Sequence, residues 1–282
     1  MSSSWIILDA NFLCWRSFHS LGGLSYNGQP TAVAFGFFRD IIHFVDKYDP
    51  SGLIFAFDGK ESKREEIDST YKQERREKRL DPKEAETYRI ISLQIQDLRK
   101  KFLPKVGFKN VFFQEGYEAD DVVASVCEGL DDQDEAMIVS SDKDLYQCLK
   151  HNVTIWNCKE RITLQGFYSR YKITPDQWKY VKAIAGCITD GVRGIRGVGE
   201  KSAILYLRGE LSDSSLYRKR IENGEEEWKR SLELVRLPYK GTKVFTPQRD
   251  KLNPEGWDEV CEELGFKYLK GACPSFAKKT LF

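Results

Sequence analysis

Long hydrophobic runs are absent from the 282-residue sequence, which has a mean hydropathy of −0.51. No stretch approaches the roughly 18 apolar residues that a membrane-spanning helix needs. The N-terminus, MSSSWIILDANF, also lacks the basic segment and the small-residue cleavage site of a signal peptide. We therefore expect a cytoplasmic protein with no membrane partner, long enough for one large or two modest domains.

Paired disulfide or zinc motifs are also absent. The seven cysteines are scattered and odd in number, with no C-x-x-C pair, so we expect reduced thiols rather than a disulfide framework. Cys148, His151 and Cys158 lie close together in the sequence, but they lack the fourth ligand that a structural zinc site needs. The composition therefore disfavours both a disulfide-rich scaffold and a structural zinc protein.

No charge of one sign dominates, because the formal net charge is +1. The glycine-rich phosphate loop of nucleotide kinases and ATPases is missing as well. The charges are nevertheless segregated: residues 115–144 hold eleven acids and one base, whereas residues 59–110 hold fifteen Lys and Arg against ten acids. A concentration of acid beside a basic segment is typical of a metal centre that faces a polyanion.

Short apolar runs alternate with helical patterns along the first half of the sequence. Buried-strand runs occur at residues 5–8, 53–57, 110–113, 136–141 and 153–156. Helices are predicted after the N-cap Thr31 and after Asp81, which is followed by Pro82 at the first helical position. This alternation predicts an α/β domain over residues 1–175, with a mostly parallel central sheet flanked by helices. A helical subdomain is predicted over residues 176–282.

Acidic residues follow the predicted strands. They are Asp9, Asp58, Asp142 and Asp144, joined by Glu118, Asp120 and Asp121 at the start of a predicted helix. The carboxyl ends of parallel strands share one sheet edge, so these acids should converge there. A lone Asp after a strand is more often a helix cap, but so many carboxylates together repel unless cations neutralise them. Hard oxygen donors without histidine predict Mg²⁺ or Mn²⁺, and two such ions can promote in-line phosphodiester hydrolysis.

The segment at residues 183–207, AIAGCITDGVRGIRGVGEKSAILYL, is rich in glycine. Its centre, GIRGVGEKSA, matches a helix–hairpin–helix, in which a tight turn and a helix N-terminus approach phosphate. An ordinary turn between packed helices has a similar composition, but downstream of an acid cluster we favour binding to the DNA backbone. The predicted DNA-binding residues are Lys182, Arg193, Gly194, Arg196, Gly197, Gly199, Lys201 and Ser202.

Taken in order, ILDAN, FAFDGK, YKQER, EADD, SSDKDLYQCL and DGVRGIRGVGEKSA resemble the motifs of the 5′-nuclease, or flap endonuclease, family. This family includes phage 5′–3′ exonucleases and the 5′-nuclease domain of bacterial DNA polymerase I, and the resemblance spans roughly residues 5–207. It implies a free-standing, monomeric 5′–3′ exonuclease and flap endonuclease of DNA replication or repair. Such an enzyme would use two divalent ions on branched, flapped or nicked DNA. RNA–DNA hybrids are a further implied substrate, and K⁺ is a further implied ion at the hairpin.

Residue by residue, the resemblance assigns Asp9, Asp58 and Asp120 to a first metal, with Glu118 and Asp121 close by, and Asp142, Asp144 and Asp190 to a second. It also implies a helical arch at about residues 59–90, through or under which the 5′ strand passes. The implied catalytic residues of this arch are Lys63, Arg64, Tyr71, Lys72 and Arg75. The cations would stabilise charge on the scissile phosphate, and the tyrosine would stack on a base. A solvated helix with i,i+4 ion pairs is the alternative for its glutamates.

One departure from the family pattern falls at the second metal. The family usually has G-D-x-x-D-N before the hairpin, whereas this sequence has GCITDG, so that Cys187 replaces a carboxylate and Gly191 an asparagine. A neutral thiol is a poor Mg²⁺ ligand, and we expect the second ion to bind more weakly than the first. Two alternative functions remain: a branched-DNA-binding protein with weakened catalysis, and a metal-dependent RNase, which would lack the hairpin and the arch.

Overall fold

A six-stranded, mostly parallel β-sheet forms the centre of the protein, and the computed structural model describes residues 2–276. The strands are β1 (Ser4–Asp9), β2 (Ser25–Tyr26), β3 (Gln29–Pro30), β4 (Gly52–Phe57), β5 (Val111–Phe113), β6 (Glu135–Val139), β7 (Val153–Trp156) and β8 (Arg161–Ile162). The order across the central sheet is β5-β4-β1-β6-β7-β8, and only the β7–β8 pair is antiparallel. Strands β2 and β3 form a separate hairpin.

Helices cover both faces of this sheet and continue beyond it. They are α1 (Ala10–Leu21), α2 (Ala32–Tyr48), α3 (Gln73–Lys78), α4 (Pro82–Asp97), α5 (Leu103–Val106), α6 (Ala119–Glu128), α7 (Leu164–Tyr171), α8 (Trp178–Ala185), α9 (Glu200–Leu207), α10 (Leu216–Asn223), α11 (Glu225–Val235) and α12 (Pro254–Leu264). A single π-helical turn, Leu98–Phe102, joins α4 to α5. Within residues 2–276, no helix is long and apolar enough to cross a membrane.

The side chains of β1 divide the hydrophobic core into two layers. Trp5 and Ile7 pack on one face of the sheet with α6 and α8, whereas Ile6 and Leu8 pack on the other face with α1 and α2. Both faces are covered, so β1 and β4 are buried along almost their whole length. A continuous apolar run such as LIFAF is what a parallel strand buried on both faces requires.

The strand register brings the acids to one edge, as the sequence predicts. Asp9 ends β1 and pairs with Ala56 of β4, while Leu8 pairs with Val139 at the end of β6. Asp58 follows β4 directly, and Asp142 follows β6 by three residues. Strands β4, β1 and β6 are neighbours, so three sequence-distant carboxylates lie at the carboxyl ends of adjacent strands.

The C-terminal part of the chain packs in two different places. Helices α8, α9 and α10 contribute to the core layer on the α6 face, as a helical subdomain adjoining the sheet would. Helix α12 instead joins the opposite layer, where Trp257 and Val260 are buried. Phe245, between α11 and α12, packs on the α6 face, where its ring stacks on Phe112 with ring centroids 5.1 Å apart. The division at residue 175 stays a prediction, and residues 277–282 of the expected helical subdomain lie outside the described residues.

Candidate metal centre and nucleic-acid interface

An acidic cleft of about 430 Å³ lies at the carboxyl ends of the central strands. Seven of the eight predicted metal ligands line it: Asp9, Asp58, Glu118, Asp120, Asp142, Asp144 and Asp190. The eighth, Asp121, does not reach the cleft. The sheet topology therefore collects in one place side chains that span more than 180 residues of sequence.

Local hydrogen bonds hold several of these carboxylates in position. Asp9 is the N-cap of α1: its Oδ1 accepts the amide of Phe12 at 3.0 Å, and its Oδ2 accepts the hydroxyl of Ser140 at 2.8 Å. Asp58 Oδ1 accepts the amide of Ala119 at 2.8 Å, and Asp142 caps the turn that follows it. Asp9 and Asp142 therefore do act as caps. A carboxylate can accept about four hydrogen bonds, so capping leaves oxygen lone pairs free for another ligand.

The cleft carries more negative charge than its surroundings neutralise. Burial, with the charge of Asp58 nearby, raises the pKa of Asp9 to about 7. Burial and the charges of Asp142 and Asp9 raise the pKa of Asp120 well above its ordinary value. Each shift means that the charged form is disfavoured until a cation binds beside it. A perturbation of this kind, concentrated in a cleft, is typical of a functional site.

Basic side chains border the cleft and bind some of its acids. Lys72 Nζ lies 2.6 Å from Glu118, Arg75 Nη2 lies 2.7 Å from Asp190, and Lys182 Nζ lies 2.9 Å from Asp144. Although burial raises the pKa of Glu118, Lys72 and the nearby guanidinium of Arg64 hold it at about 2. Lys72 and Arg75 thus line the cleft, and their catalytic role stays a prediction. The buried Lys182 was predicted to bind DNA with the hairpin, but it faces the acids instead.

The donor set in the cleft suits a hard divalent cation. As placed, no three acidic, thiol or imidazole groups among residues 2–276 lie close enough together to hold an ion. The like charges repel one another, and several carboxylates turn toward the basic side chains at the rim. Even so, Asp9, Asp58 and Asp120 line one cleft, offer only oxygen donors, and have no salt-bridge partner in the described part of the chain. These three side chains therefore offer the charged oxygen donors that a hard divalent cation prefers.

Asp121 and Arg64 form a buried ion pair, and this corrects their predicted roles. The guanidinium of Arg64 makes two hydrogen bonds to the carboxylate of Asp121, at 2.7 and 2.8 Å. Arg64 also donates to the carbonyl of Leu234, while Asp121 accepts the amide of Tyr239. Both side chains are almost fully buried. Neither side chain is free to contact a phosphate or an ion in the cleft, because each is hydrogen-bonded to the other and to backbone groups.

Tyr71 and Lys63 also differ from their predicted catalytic roles. Tyr71 is 4% exposed, so no face of its ring is free to stack on a base; its hydroxyl donates to Glu118 at 3.2 Å. Lys63 points away from the cleft, where its ammonium lies 5.0 Å from the ring centre of Tyr117. Tyr71 therefore supports Glu118 from behind, and Lys63 is not placed near the acids.

The segment predicted as an arch packs against the loop that carries Asp190 through its middle, at Thr70 and Lys72. The amide of Lys72 donates to the carbonyl of Asp190 at 2.8 Å, and Gly191 lies so close to Thr70 that a Cβ atom would be 2.4 Å from its carbonyl oxygen. The glycine at position 191 is thus explained by packing. After this contact, α3 and the first turns of α4 carry most of residues 73–90, with Leu80 largely exposed between them.

The glycine-rich segment folds into a hairpin in which some glycines serve the protein itself. Cys187 and Val192 pair through two backbone hydrogen bonds of 2.9 and 3.0 Å. A Cβ atom on Gly194 would lie 2.2 Å from the backbone of Ala185, so this glycine permits two chain segments to touch. Gly194 was predicted to approach phosphate, but its open side is occupied by protein. Gly197 and Gly199 remain exposed.

The exposed end of this hairpin carries the features of a phosphate-binding surface. Helix α9 begins after Gly199 with no side-chain cap, so no N-cap side chain accepts from its first amide groups. Arg193, Arg196 and Lys201 are exposed, and Ser202 is half-buried in the first turn of α9. Lys143, located between two cleft acids in the sequence, binds Glu200 at 3.1 Å. The start of α9 is therefore tied directly to the acidic cleft.

Comparison with known proteins identifies the family. The model of the 5′–3′ exonuclease N-terminal resolvase-like domain matches residues 4–173, which is more than half of the chain. A 5′–3′ exonuclease of Aquifex aeolicus is 32% identical over 255 residues, covering 88% of this chain and 84% of the relative. The chain belongs to the 5′–3′ exonuclease family.

Other relatives of this exonuclease-family chain differ in length. A 5′–3′ exonuclease of Mycoplasmopsis pulmonis is 32% identical over 206 residues, covering 72% of this chain and 65% of the relative. DNA polymerase I of Thermus thermophilus is 29% identical over 249 residues, covering 86% of this chain but 28% of the polymerase. The chain thus spans about two thirds of the first relative and less than a third of the second.

Solved structures confirm the fold of the exonuclease-family chain. The 5′-exonuclease of phage T5 with bound zinc superposes with a TM-score of 0.71 at 23% identity, covering 95% of this chain and 98% of the phage protein. The catalytic core of Rad2 in complex with a DNA substrate superposes with a TM-score of 0.59 at 14% identity, covering 93% and 88%. The predicted α/β class with a mostly parallel sheet is therefore confirmed.

Several residues of the exonuclease-family cleft were missed from the sequence. Phe12 and Trp15 line it from α1, and Trp15 packs edge-on against Tyr88 of α4 with ring centroids 4.8 Å apart. Asn11 also lines the cleft, and its side chain accepts the amide of Asp58. Their spacing could have indicated this position, because residues three or four apart, such as Phe12 and Trp15 or Asn11 and Trp15, lie on the same side of a helix. It went unused because α1 was not predicted as a helix.

Cys187 lies at the cleft, as the departure from the family pattern implies. Its thiol donates to Asp190 Oδ2 at 3.2 Å and lies 3.2 Å from the hydroxyl of Thr189. Burial raises the pKa of this thiol above its ordinary value. The residue that replaces a family carboxylate therefore adds a hydrogen-bond donor, and no negative charge, beside Asp190.

Proposed function

We propose that this chain is a divalent-metal-dependent, structure-specific 5′ nuclease that hydrolyses phosphodiester bonds near the 5′ ends of branched, flapped or nicked DNA. The carrying observation is the joining of an acidic cleft to an uncapped helix N-terminus through Lys143 and Glu200. A phosphate backbone held at α9 would extend toward the acids. Family membership supports the proposal, as do the DNA and metal complexes named for the T5 and Rad2 structures.

Asp9, Asp58 and Asp120 would hold a Mg²⁺ or Mn²⁺ ion in this enzyme. When bound, such an ion supplies positive charge to the phosphate and lowers the pKa of a water that serves as nucleophile. Ser140 and the amide of Phe12 orient Asp9, and the amide of Ala119 orients Asp58. Oriented carboxylates need little rearrangement when the ion arrives, because the fold has already fixed their positions.

Lys72 and Arg75 would contact the scissile phosphate at the rim of the cleft. Their partners, Glu118 and Asp190, hold them in reach of the acids, where a positive charge can stabilise a phosphate that gains negative charge. On the opposite wall, Trp15 and Phe12 offer partly exposed rings on which an unpaired terminal base could stack. The protein would thus bind the substrate through its phosphate backbone and through stacking on a terminal base, and neither contact depends on the base sequence.

The hairpin is expected to contribute affinity that does not depend on base sequence. Lys201→Ala should weaken the binding of duplex DNA on different sequences about equally and should lower the salt slope of binding by about one unit, because one phosphate contact is lost. Fluorescence anisotropy at several salt concentrations measures both effects. Lys270→Ala is the matched control, since Lys270 is exposed but pairs with Glu262 on α12, away from the hairpin. A loss confined to particular sequences would contradict backbone binding.

The proposed activity is tested with three 5′-labelled substrates: a flap, a nicked duplex and an RNA–DNA hybrid. With Mg²⁺ we expect short 5′ products from the flap and the nick, and with EDTA we expect binding without cleavage. Binding without cleavage under both conditions would favour the alternative of a DNA-binding protein with weakened catalysis. Cleavage of the hybrid alone would favour the RNase alternative, whereas cleavage of all three would add RNA primers to the proposed substrates. We propose that the enzyme acts as a monomer.

A further inference from the structure

We infer that the cleft binds one divalent ion tightly, at Asp9, Asp58 and Asp120, and that two side chains of the protein supply the positive charge at its other end. Those side chains are Lys182 and Arg75, which neutralise Asp144 and Asp190. This inference rests on the proposed function, because it concerns the number of ions in the same centre. It departs from the two-ion arrangement that the family resemblance implies.

The two ends of the cleft differ in the charge left for an ion. At the first end, Asp9, Asp58 and Asp120 form no salt bridge within the described residues, and Glu118 is paired with Lys72. Three carboxylates there retain charge that a dication can neutralise. At the second end, both Asp144 and Asp190 are already paired with cations, which leaves Asp142 alone. Affinity for a hard dication depends strongly on the number of charged oxygen ligands.

Lys182 is built into the second end and cannot easily leave it. Its side chain is 10% exposed, and its ammonium lies 2.9 Å from Asp144 Oδ1. That oxygen is buried, and Lys182 is the cation that lies against it. An ion that used this oxygen would have to approach the lysine charge at close range. Arg75, with 46% of its side chain exposed, is the more exposed of the two cations.

At Cys187 the chain lacks a carboxylate that would help to bind a second ion. A carboxylate at this position would add one charged oxygen donor beside Asp190. The thiol instead donates a hydrogen bond to Asp190 Oδ2 at 3.2 Å and occupies a lone pair that a metal could use. Substitution of an acid by a thiol and burial of a lysine beside Asp144 have the same consequence. Both leave Asp142 as the one acid at the second end without a cation beside it.

Counting bound Mn²⁺ tests this inference without reference to cleavage. Free Mn²⁺ is followed by electron paramagnetic resonance during titration of the wild-type protein, and a pair of neighbouring ions is recognised by its spin-coupled spectrum. We expect one tightly bound ion and no coupled spectrum. Two ions that bind with affinities within about tenfold of each other would overturn the inference while leaving the proposed function intact. No tightly bound ion at all would overturn the proposed function itself.

Variants at the second end show whether the named residues are the cause. Cys187→Asp, which leaves the packing of Lys182 unchanged, should strengthen binding of the second ion by about tenfold. Cys187→Asp combined with Lys182→Gln should bind two ions and give the coupled spectrum. The matched control, Cys187→Ser with Lys182→Arg, changes the same positions without changing their charge, and it should still bind one. A double variant that folds and still binds one ion would refute the inference.

Discussion

Asp58→Asn is expected to lower the rate of 5′-flap cleavage by about a thousandfold or more, while flap binding changes little. The substitution removes one of the three carboxylates that we propose hold the ion, and a bound ion contributes several kcal/mol to a phosphoryl displacement, which is about three powers of ten in rate. The fold should survive, because Asn can still accept the amide of Ala119 through its side-chain oxygen. Loss of activity would therefore report on the ion rather than on stability.

Single-turnover cleavage in saturating Mg²⁺ measures this effect, and fluorescence anisotropy in EDTA measures flap binding. Asp213→Asn is the matched control, since it removes an acid whose side chain is 92% exposed and does not line the cleft. It should cleave at the wild-type rate. If Asp58→Asn cleaved nearly as fast as this control, the acidic cleft would not be the active centre, and the proposed function would lose its chemical basis.

The sheet could be predicted from the sequence because its central strands are buried on both faces. Runs such as WIIL, LIFAF and VTIW contain almost no polar residues, and the strands observed at Ser4–Asp9, Gly52–Phe57 and Val153–Trp156 extend these runs by at most one residue at each end. Asp81 likewise caps α4, as predicted. Thr31 precedes α2, but its side chain makes no capping bond. The helix start there is set by packing rather than by its cap.

Helix α1 could not be recognised so easily, because much of what stabilises it lies outside its own sequence. ANFLCWRSFHSL contains four aromatic or histidine rings, which are only moderate helix formers. Its start is set by Asp9, which the sequence pattern predicts to be a metal ligand, and its buried side packs on α2. The aromatic residues that line the cleft were missed for the same reason. Asp9 both caps helix α1 and lines the acidic cleft, whereas the sequence pattern presents a helix cap and a metal ligand as alternatives.

The acids of the site could be predicted from topology, but their partners could not. Convergence of Asp9, Asp58 and Asp142 follows from parallel strands alone. Arg64 meets Asp121 across 57 residues and Leu234 across 170, and such contacts are set by tertiary packing. The helix geometry of α6 did indicate that one of its two neighbouring acids lies away from the cleft. Neighbouring residues on a helix point about 100° apart, so Asp120 and Asp121 could not both face the cleft.

The buried pair of Arg64 and Asp121 yields the second large expected effect. Asp121→Asn should lower the free energy of unfolding by about 3–5 kcal/mol, because the change leaves a buried guanidinium without its counter-charge. The same change at its neighbour, Asp120→Asn, should leave the metal-free protein as stable as the wild type, or slightly more stable near pH 8. The pKa of Asp120 is raised, so at that pH its charged form opposes folding, and removing the charge removes this cost.

Urea unfolding in EDTA near pH 8 compares the two variants, and Mn²⁺ binding provides the opposite readout. Asp120→Asn should weaken binding of the ion, whereas Asp121→Asn, where it remains folded, should bind it as the wild type does. Replacing both partners, with Arg64→Met and Asp121→Leu, should recover part of the lost stability: no buried charge is then left unpaired, but the carbonyl of Leu234 and the amide of Tyr239 lose their partners. If Asp121→Asn weakened metal binding without a loss of stability, Asp121 would be a ligand after all. The ion pair with Arg64 would then have to open when the metal binds.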